Sequence, residues 1–331
     1  MPCCLLQVVV MCGRSLSLGL AFTWPFRTQT PEEPEDTQTI TRQLFTRSLW
    51  YIVHGEFAQA DRELHQLLTH LAEAHRLNQI DTSTYGEQRG RVCSELASVS
   101  LILRNYPAAE ALIKQTVQDC VRAGLDVSDA AIVELSLKLA LIYDRMGRPE
   151  ESAMGFRYCI GTQERKLASG SVIDPDQLNN EKALLGMSYN YYAQFLYSQN
   201  ELTQACEYAQ KALSIAQQLY PDTHSNCVHL ESDIATILIE LSRLDEARTV
   251  LRRVVDRFAQ SDLVDAPLES GPPTDEIRCH FLTQLLQVEA MSGDLGKAKN
   301  MYADAEKSCA KLSNTSNLHE RLLKLKRMYN L

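Results

Sequence analysis

Three histidines, His65, His70 and His75, recur at five-residue spacing and raise the question of a metal site. On a helix each lies about 140° round from the last, so they cannot converge on one ion from a single face. Ten cysteines stand at 3, 4, 12, 93, 120, 159, 206, 227, 279 and 309, with no C-x-x-C pair and no histidine at zinc spacing. Cys93, Cys159 and Cys206 fall within apolar-periodic stretches, where a free thiol behaves as a small hydrophobe. Reduced core thiols suit a body folded in the cytosol or mitochondrial matrix, and fit the intermembrane space less well. Gly293-Asp-Leu-Gly296-Lys297 has the residue types of a phosphate loop but is too short for one. Asn314-Thr-Ser316 matches a glycosylation acceptor, which matters only in a secreted protein. G-x-S-x-G and H-E-x-x-H are absent, and no nucleophile–base pair stands out. The expectation is a protein without catalytic residues, cofactor or metal.

Composition points the same way. The chain has 331 residues, 45% of them apolar, with only 14 Gly and 11 Pro, which favours long helices over strands and turns. Its net charge is −9 and no basic stripe interrupts it, so a nucleic-acid partner is not expected. Residues 1–31 differ: their only charges are Arg14 and Arg27, and the first acid is Glu32. The apolar stretches 3–12 and 16–26 are each shorter than the ~20 residues that span a bilayer. Three readings stay open for this segment: a mitochondrial targeting leader, a marginal membrane anchor at 16–26, or an inert terminus. The acidic, proline-bearing stretch 32–40 reads as a linker, and 41–331 as the folded body.

A turn pattern repeats through that body. It appears as Gly55-Glu-Phe57-Ala-Gln-Ala60, Arg104-Asn-Tyr106-Pro-Ala-Ala109, Asn200-Glu-Leu202-Thr-Gln-Ala205, Ser242-Arg-Leu244-Asp-Glu-Ala247 and Gly293-Asp-Leu295-Gly-Lys-Ala298, with a weaker copy at Gly147-Arg-Pro149-Glu-Glu-Ser152. The first position ends helix A of a hairpin, where a left-handed backbone is common. The closing Ala or Ser lies where helix B crosses helix A, and a larger side chain there would overpack. Twelve residues before it stands Ser48, Ala97, Ala140, Ala193, Ala235 or, in the last copy, Leu286. Four residues after it stands Leu64, Ile113, Phe156, Leu251 or Tyr302; the fourth copy has Ala209 there, followed by Ala212 and Leu213.

The pattern resembles the tetratricopeptide repeat family, without that family's helix-A Gly and with gaps of 49, 43, 53, 42 and 51 residues between closing positions. The fold expected is all-α, a right-handed superhelical solenoid of about six degenerate hairpins. Long loops are expected at 161–180 and 261–276, and a capping helix at 317–331. Arrays of this family usually bind protein partners on a face lined by helix A. Counting from each turn, the partner-facing positions are Asn190, Gln194 and Tyr197; Ser232, Thr236 and Ile239; and Thr283, Gln287 and Ala290. Copy three offers Leu137, Leu141 and Asp144, and copy one offers Phe45, Leu49 and Ile52. Amides and hydroxyls suit an extended peptide, because they both donate to and accept from its backbone. A clamp for a C-terminal carboxylate is not expected, since copy one presents Arg42, Phe45 and Leu49 rather than Lys and Asn.

Two stretches carry a more specific likeness. Ala131-Ile-Val-Glu-Leu-Ser-Leu-Lys-Leu-Ala140 with Leu-Ile-Tyr143, and Glu181-Lys-Ala-Leu-Leu-Gly-Met187, with Phe156, Cys159 and Ile160 between them, resemble the family of mitochondrial tetratricopeptide repeat protein 19. The resemblance implies a cleaved leader and association with the mitochondrial inner membrane. It also implies support of respiratory complex III, through clearance of Rieske iron–sulfur subunit fragments. The alternative is a cytosolic adaptor of the kinesin-light-chain type, whose units are also about 42 residues; Tyr220-Pro-Asp-Thr-His224 suits it.

Overall fold

The computed structural model describes residues 35–122, 124–260, 274–310 and 316–330, and among these every regular element is a helix. The helices are α1 (Glu35–Val53), α2 (Phe57–Arg76), α3 (Thr82–Ile102), α4 (Tyr106–Arg122), α5 (Ala130–Arg145), α6 (Pro149–Ala168), α7 (Pro175–Ser198), α8 (Leu202–Leu219), α9 (Ser225–Glu240), α10 (Leu244–Gln260), α11 (Thr274–Met291), α12 (Leu295–Ala310) and α13 (Ser316–Tyr329). The first twelve form six helix A–helix B pairs, and α13 follows as a single helix. The chain divides within α7 into two compact units, Met1–Leu184 and Leu185–Leu331.

One turn chemistry makes every hairpin. Gly55, Arg104, Gly147, Asn200, Ser242 and Gly293 all adopt positive φ, between 59° and 83°. In each, the next residue's N–H reaches back five residues, as from Glu56 to Tyr51 at 2.9 Å and from Arg243 to Leu238 at 2.9 Å, closing helix A in a Schellman turn. The carbonyl of that same residue then accepts the first bond of helix B, from Ala60 N to Glu56 O and from Ala247 N to Arg243 O. Two free backbone positions thus join the rods, and their register is fixed.

The closing residues lie where they were expected. Ala60, Ala109, Ser152, Ala205, Ala247 and Ala298 are buried, and so are their helix-A partners Ser48, Ala97, Ala140, Ala193, Ala235 and Leu286. The third hairpin shows how close the backbones come: Ser152 Oγ donates to Ala140 O at 2.9 Å, and a Cβ on Gly155 would lie 2.8 Å from that of Ala140. Leu64, Ile113, Phe156, Leu251 and Tyr302 fill the space one turn further on, with Ala209, Ala212 and Leu213 doing so in α8. In the first unit Leu64, Leu67 and Leu71 pack with Val92, Leu96 and Val99. In the second, Leu322 and Leu325 of α13 cover Leu282 and Leu286 of α11, the capping role expected of 317–331.

Three expectations change. Helix α1 begins at Glu35, inside the stretch expected as linker; the proline of that stretch, Pro34, precedes the helix in sequence, and Thr37 is buried, its hydroxyl bonding Gln79 Oε1 at 3.2 Å. The loop expected at 161–180 shrinks to residues 169–174, because α6 continues through Gly161 to Ala168 and Pro175 opens α7 at a position that needs no N–H. Longer helices therefore account for that 53-residue gap. Cys279 and Cys309 are joined in a disulfide between α11 and α12, with Cα atoms 5.7 Å apart, whereas Cys93, Cys159 and Cys206 are buried free thiols. Their 30-residue separation hides the pairing until the hairpin register is known. Residues 1–34 and most of the loop expected at 261–276 lie outside the described residues.

Candidate functional site

The helix-A face of the second unit is built by α7, α9 and α11, and its side chains meet in a fixed register. Tyr197 of α7 donates its hydroxyl to Glu240 of α9. Ser232 Oγ and His280 Nε2 lie 2.7 Å apart, linking α9 to α11. Gln284 of α11 donates to Thr236 Oγ1 at 2.9 Å and to the Ser232 carbonyl at 3.4 Å. On α7, Gln194 Nε2 donates to Asn190 Oδ1 at 3.3 Å.

The same joint recurs in the first unit. Ser94 of α3 stands fifteen residues before its closing alanine, as Ser232 does. Its hydroxyl bonds Glu134 of α5 at 3.0 Å, and Lys138 donates to its carbonyl at 3.1 Å. In both units, then, a helix-A serine is held by the residues eighteen and fourteen before the next closing position: Glu134 and Lys138, or His280 and Gln284. Lys138 also pairs with Glu134 at 3.1 Å, which keeps both buried charges partnered. The Ser94–Lys138 contact is therefore a strut between repeats.

Five of the seven expected polar positions, Asn190, Gln194, Tyr197, Ser232 and Thr236, are part-exposed on this face, and Gln287 joins them. Thr283 does not: it is 0% exposed, with its hydroxyl spent on the Cys279 carbonyl at 2.7 Å. Ile239 and Ala290 are buried too. In α11 Gln287 is part-exposed as counted, His280 is half-buried beside Ser232, and Gln284 is buried with its amide donated to α9. Sequence reasoning also missed Asp233 and Glu240, which stand fourteen and seven residues before Ala247; the position fourteen before the closing residue holds Lys138 and Gln284 in the third and sixth copies. In the first unit, Leu137 is buried, Leu141, Asp144, Phe45 and Ile52 are half-buried, and Leu49 is exposed.

Burial sets the charge states. It holds the imidazole of His280 at a pKa of about 3, with Arg321 and His229 adding repulsion, and it lowers His229 as well. Burial alone raises the Asp233 carboxyl to about 7. Deeper in, fully buried Glu231 accepts from Arg253 at 3.1 Å and from Arg257 at 2.9 Å, and Glu289 accepts from Arg248 and Arg252. The three histidines of α2 serve separate local contacts: His65 Nδ1 meets Asp61 O, His75 stacks on Tyr85, and His70 approaches Thr37 O. Among the described residues no group of three His, Cys, Asp or Glu is placed to hold a metal, and no helix is long and apolar enough to cross a membrane.

A tetratricopeptide repeat family model matches residues 184–260, the hairpins α7–α8 and α9–α10. Mitochondrial tetratricopeptide repeat protein 19 of Rattus norvegicus is 31% identical over 253 residues, covering 73% of this chain and 67% of the rat protein. The chain belongs to the tetratricopeptide repeat protein 19 family. The Homo sapiens member is 30% identical over 223 residues, which are 66% of this chain and 56% of the human protein. This chain thus spans about two thirds or less of the relatives' length. Among solved structures, BtubC from P. vanneervenii superimposes with a TM-score of 0.57 at 17% identity, over 75% of this chain and 91% of its own. The apo form of RapI gives 0.61 at 10% identity, over 90% and 82%. At such identities these two speak for the all-helical fold alone.

Proposed function

We propose that this chain is a non-enzymatic protein-binding factor of the mitochondrion, associated with the inner membrane. In this reading it maintains respiratory complex III by holding an extended segment of a subunit, including fragments of the Rieske iron–sulfur subunit that await clearance. Asn190, Gln194, Tyr197, Ser232, Thr236 and Gln287, with His280, form the holding face. The observation that carries the reading is the family match, since the rat and human relatives both bear the mitochondrial name. The polar face supports the mode: its amides and hydroxyls pair with a peptide backbone whatever the side chains.

The test is purification of the tagged full-length protein from mitochondria in mild detergent. Complex III subunits should co-elute, and Asn190→Ala with Gln194→Ala should reduce their yield several-fold while leaving helicity unchanged. Absence of complex III subunits would overturn the reading. A cytosolic adaptor of the kinesin-light-chain type is the alternative; an untrimmed N-terminus on protein recovered from the cytosol would favour it.

A further inference from the structure

The joint between α7 and α9 lacks the strut seen between α3 and α5 and between α9 and α11. In α5, Lys138 donates across to the Ser94 carbonyl; in α11, Gln284 donates across to the Ser232 carbonyl. The same repeat position in α9 is Asp233, whose carboxyl makes no such bond to α7 among the described residues. The Tyr197–Glu240 bond sets the register of α7 against α9. Seven residues earlier on each helix, two full turns, stand Asn190 and Asp233. Asp233 therefore faces Asn190 and, through the Asn190–Gln194 bond, Gln194. Among the described residues the Asp233 carboxyl has neither hydrogen bond nor ion pair, only the loss of water around it.

The geometry points to a cation-accepting pocket on this face, formed by Asp233 with Asn190 and Gln194, that takes a lysine or arginine side chain of an extended partner. The inference rests on the holding-face reading above and names the chemistry of the residue held. Within unit one the chain shows what such an occupant does: the Lys138 ammonium sits between the Glu134 carboxylate and the Ser94 carbonyl. A partner's ammonium between Asp233 and the Asn190 carbonyl repeats that arrangement across the open joint.

Charge agrees. At the face positions of α7, α9 and α11, from Met187 and Asn190 through Thr236 and Glu240 to Gln287 and Met291, there is no Lys or Arg. Burial lowers the imidazole pKa of both His229 and His280, Arg321 approaches from the side of His280, and the ionisable acids are Asp233 and Glu240.

A bound cation stabilises the ionised carboxylate, so binding expels the Asp233 proton, and affinity must fall as pH drops below about 7. Between pH 8 and pH 5.5 the loss should be roughly thirtyfold for a cationic peptide, and absent for one carrying norleucine instead. The test uses full-length protein and a library of acetylated, amidated nonapeptides with one position fixed as Lys, Arg, norleucine or Glu. Enrichment of Lys or Arg, its loss in Asp233→Asn, and its partial return in Asp233→Glu are the expected results, with circular dichroism confirming that each variant is folded. Library binding without cation preference, or a preference that survives in folded Asp233→Asn, would overturn the pocket while leaving the holding face intact. Binding unchanged by Thr236→Arg with Gln287→Arg, which obstruct the face, would overturn both, as would failure of every library member to bind.

Discussion

Single side chains here carry consequences that depend on what surrounds them. Glu231 is fully buried and held by Arg253 and Arg257. Glu231→Ala strands the Arg257 guanidinium and should cost about 3–5 kcal/mol, read as a lowered urea midpoint with an unchanged slope. Two titrations oppose each other on the helix-A face. The His280 pKa is lowered from 6.5 to about 3, so its contribution to stability is full above pH 6.5 and is lost as pH falls toward 3. Asp233 is raised from 3.8 to about 7, so its contribution is full below pH 3.8 and lost as pH rises through 7. Asp233→Asn should therefore stabilise the protein at pH 8 and be nearly neutral at pH 4, while His280→Gln should flatten the acid side of the stability curve. Denaturant titrations at those pH values decide both. Much of this scale could be read from residue types alone: Asn190, Gln194, Ser232 and Thr236 line the face as counted. So does Gln287, while Thr283, four residues before it on α11, is fully buried. A count from a turn gives the direction of a side chain, but how deeply neighbouring helices cover it is set by packing that the count does not contain.

Helices and hairpins were the most legible level, because a six-residue turn signature encodes three linked requirements at once. The backbone must turn left-handed, one residue must end helix A and begin helix B, and a small side chain must follow where the rods cross. All three recur in each copy. Left-handed φ is costly for residues with a Cβ, so Arg104→Gly and Ser242→Gly should each stabilise by roughly 0.5–1 kcal/mol. The crossing is intolerant: Ala205→Trp or Ala247→Trp should destabilise by about 1–3 kcal/mol or more, since both sites are fully buried. Gly155→Val should behave likewise, because even its first carbon meets Ala140. A thermal melt that scarcely moves in these variants would show that the rods have room to part. Loop lengths were less legible. Gly161 and Pro175 look like breakers in the sequence, yet one is carried inside α6 and the other starts α7. The same residue type reads as a stop or a start depending on which side of it the apolar contacts fall.

Within each unit, consecutive helices pack in chain order, from α1 to α6 in the first and from α8 to α13 in the second. Stability in such an array is close to a sum over neighbours, so damage should spread over a limited distance. The end of the second unit offers the cleanest trial. Leu322 and Leu325 of α13 cover the last apolar surface, which α11 and α12 present with Leu282, Leu286, Ala305 and the Cys279–Cys309 bond. Leu322→Ala removes a fully buried side chain and should cost about 2–5 kcal/mol at that joint. Hydrogen exchange should then show protection lost most in α13 and α12, less in α11, and scarcely at all in α8. The disulfide should hold α11 to α12 even as α13 detaches, so reduction ought to extend the loss into α11. Because α11 carries His280 and Gln287, that reduced variant should also weaken peptide binding, while the oxidised one retains it. An even loss of protection from α8 to α13 would mean instead that the second unit unfolds as one cooperative block, and that no joint within it can be tuned alone.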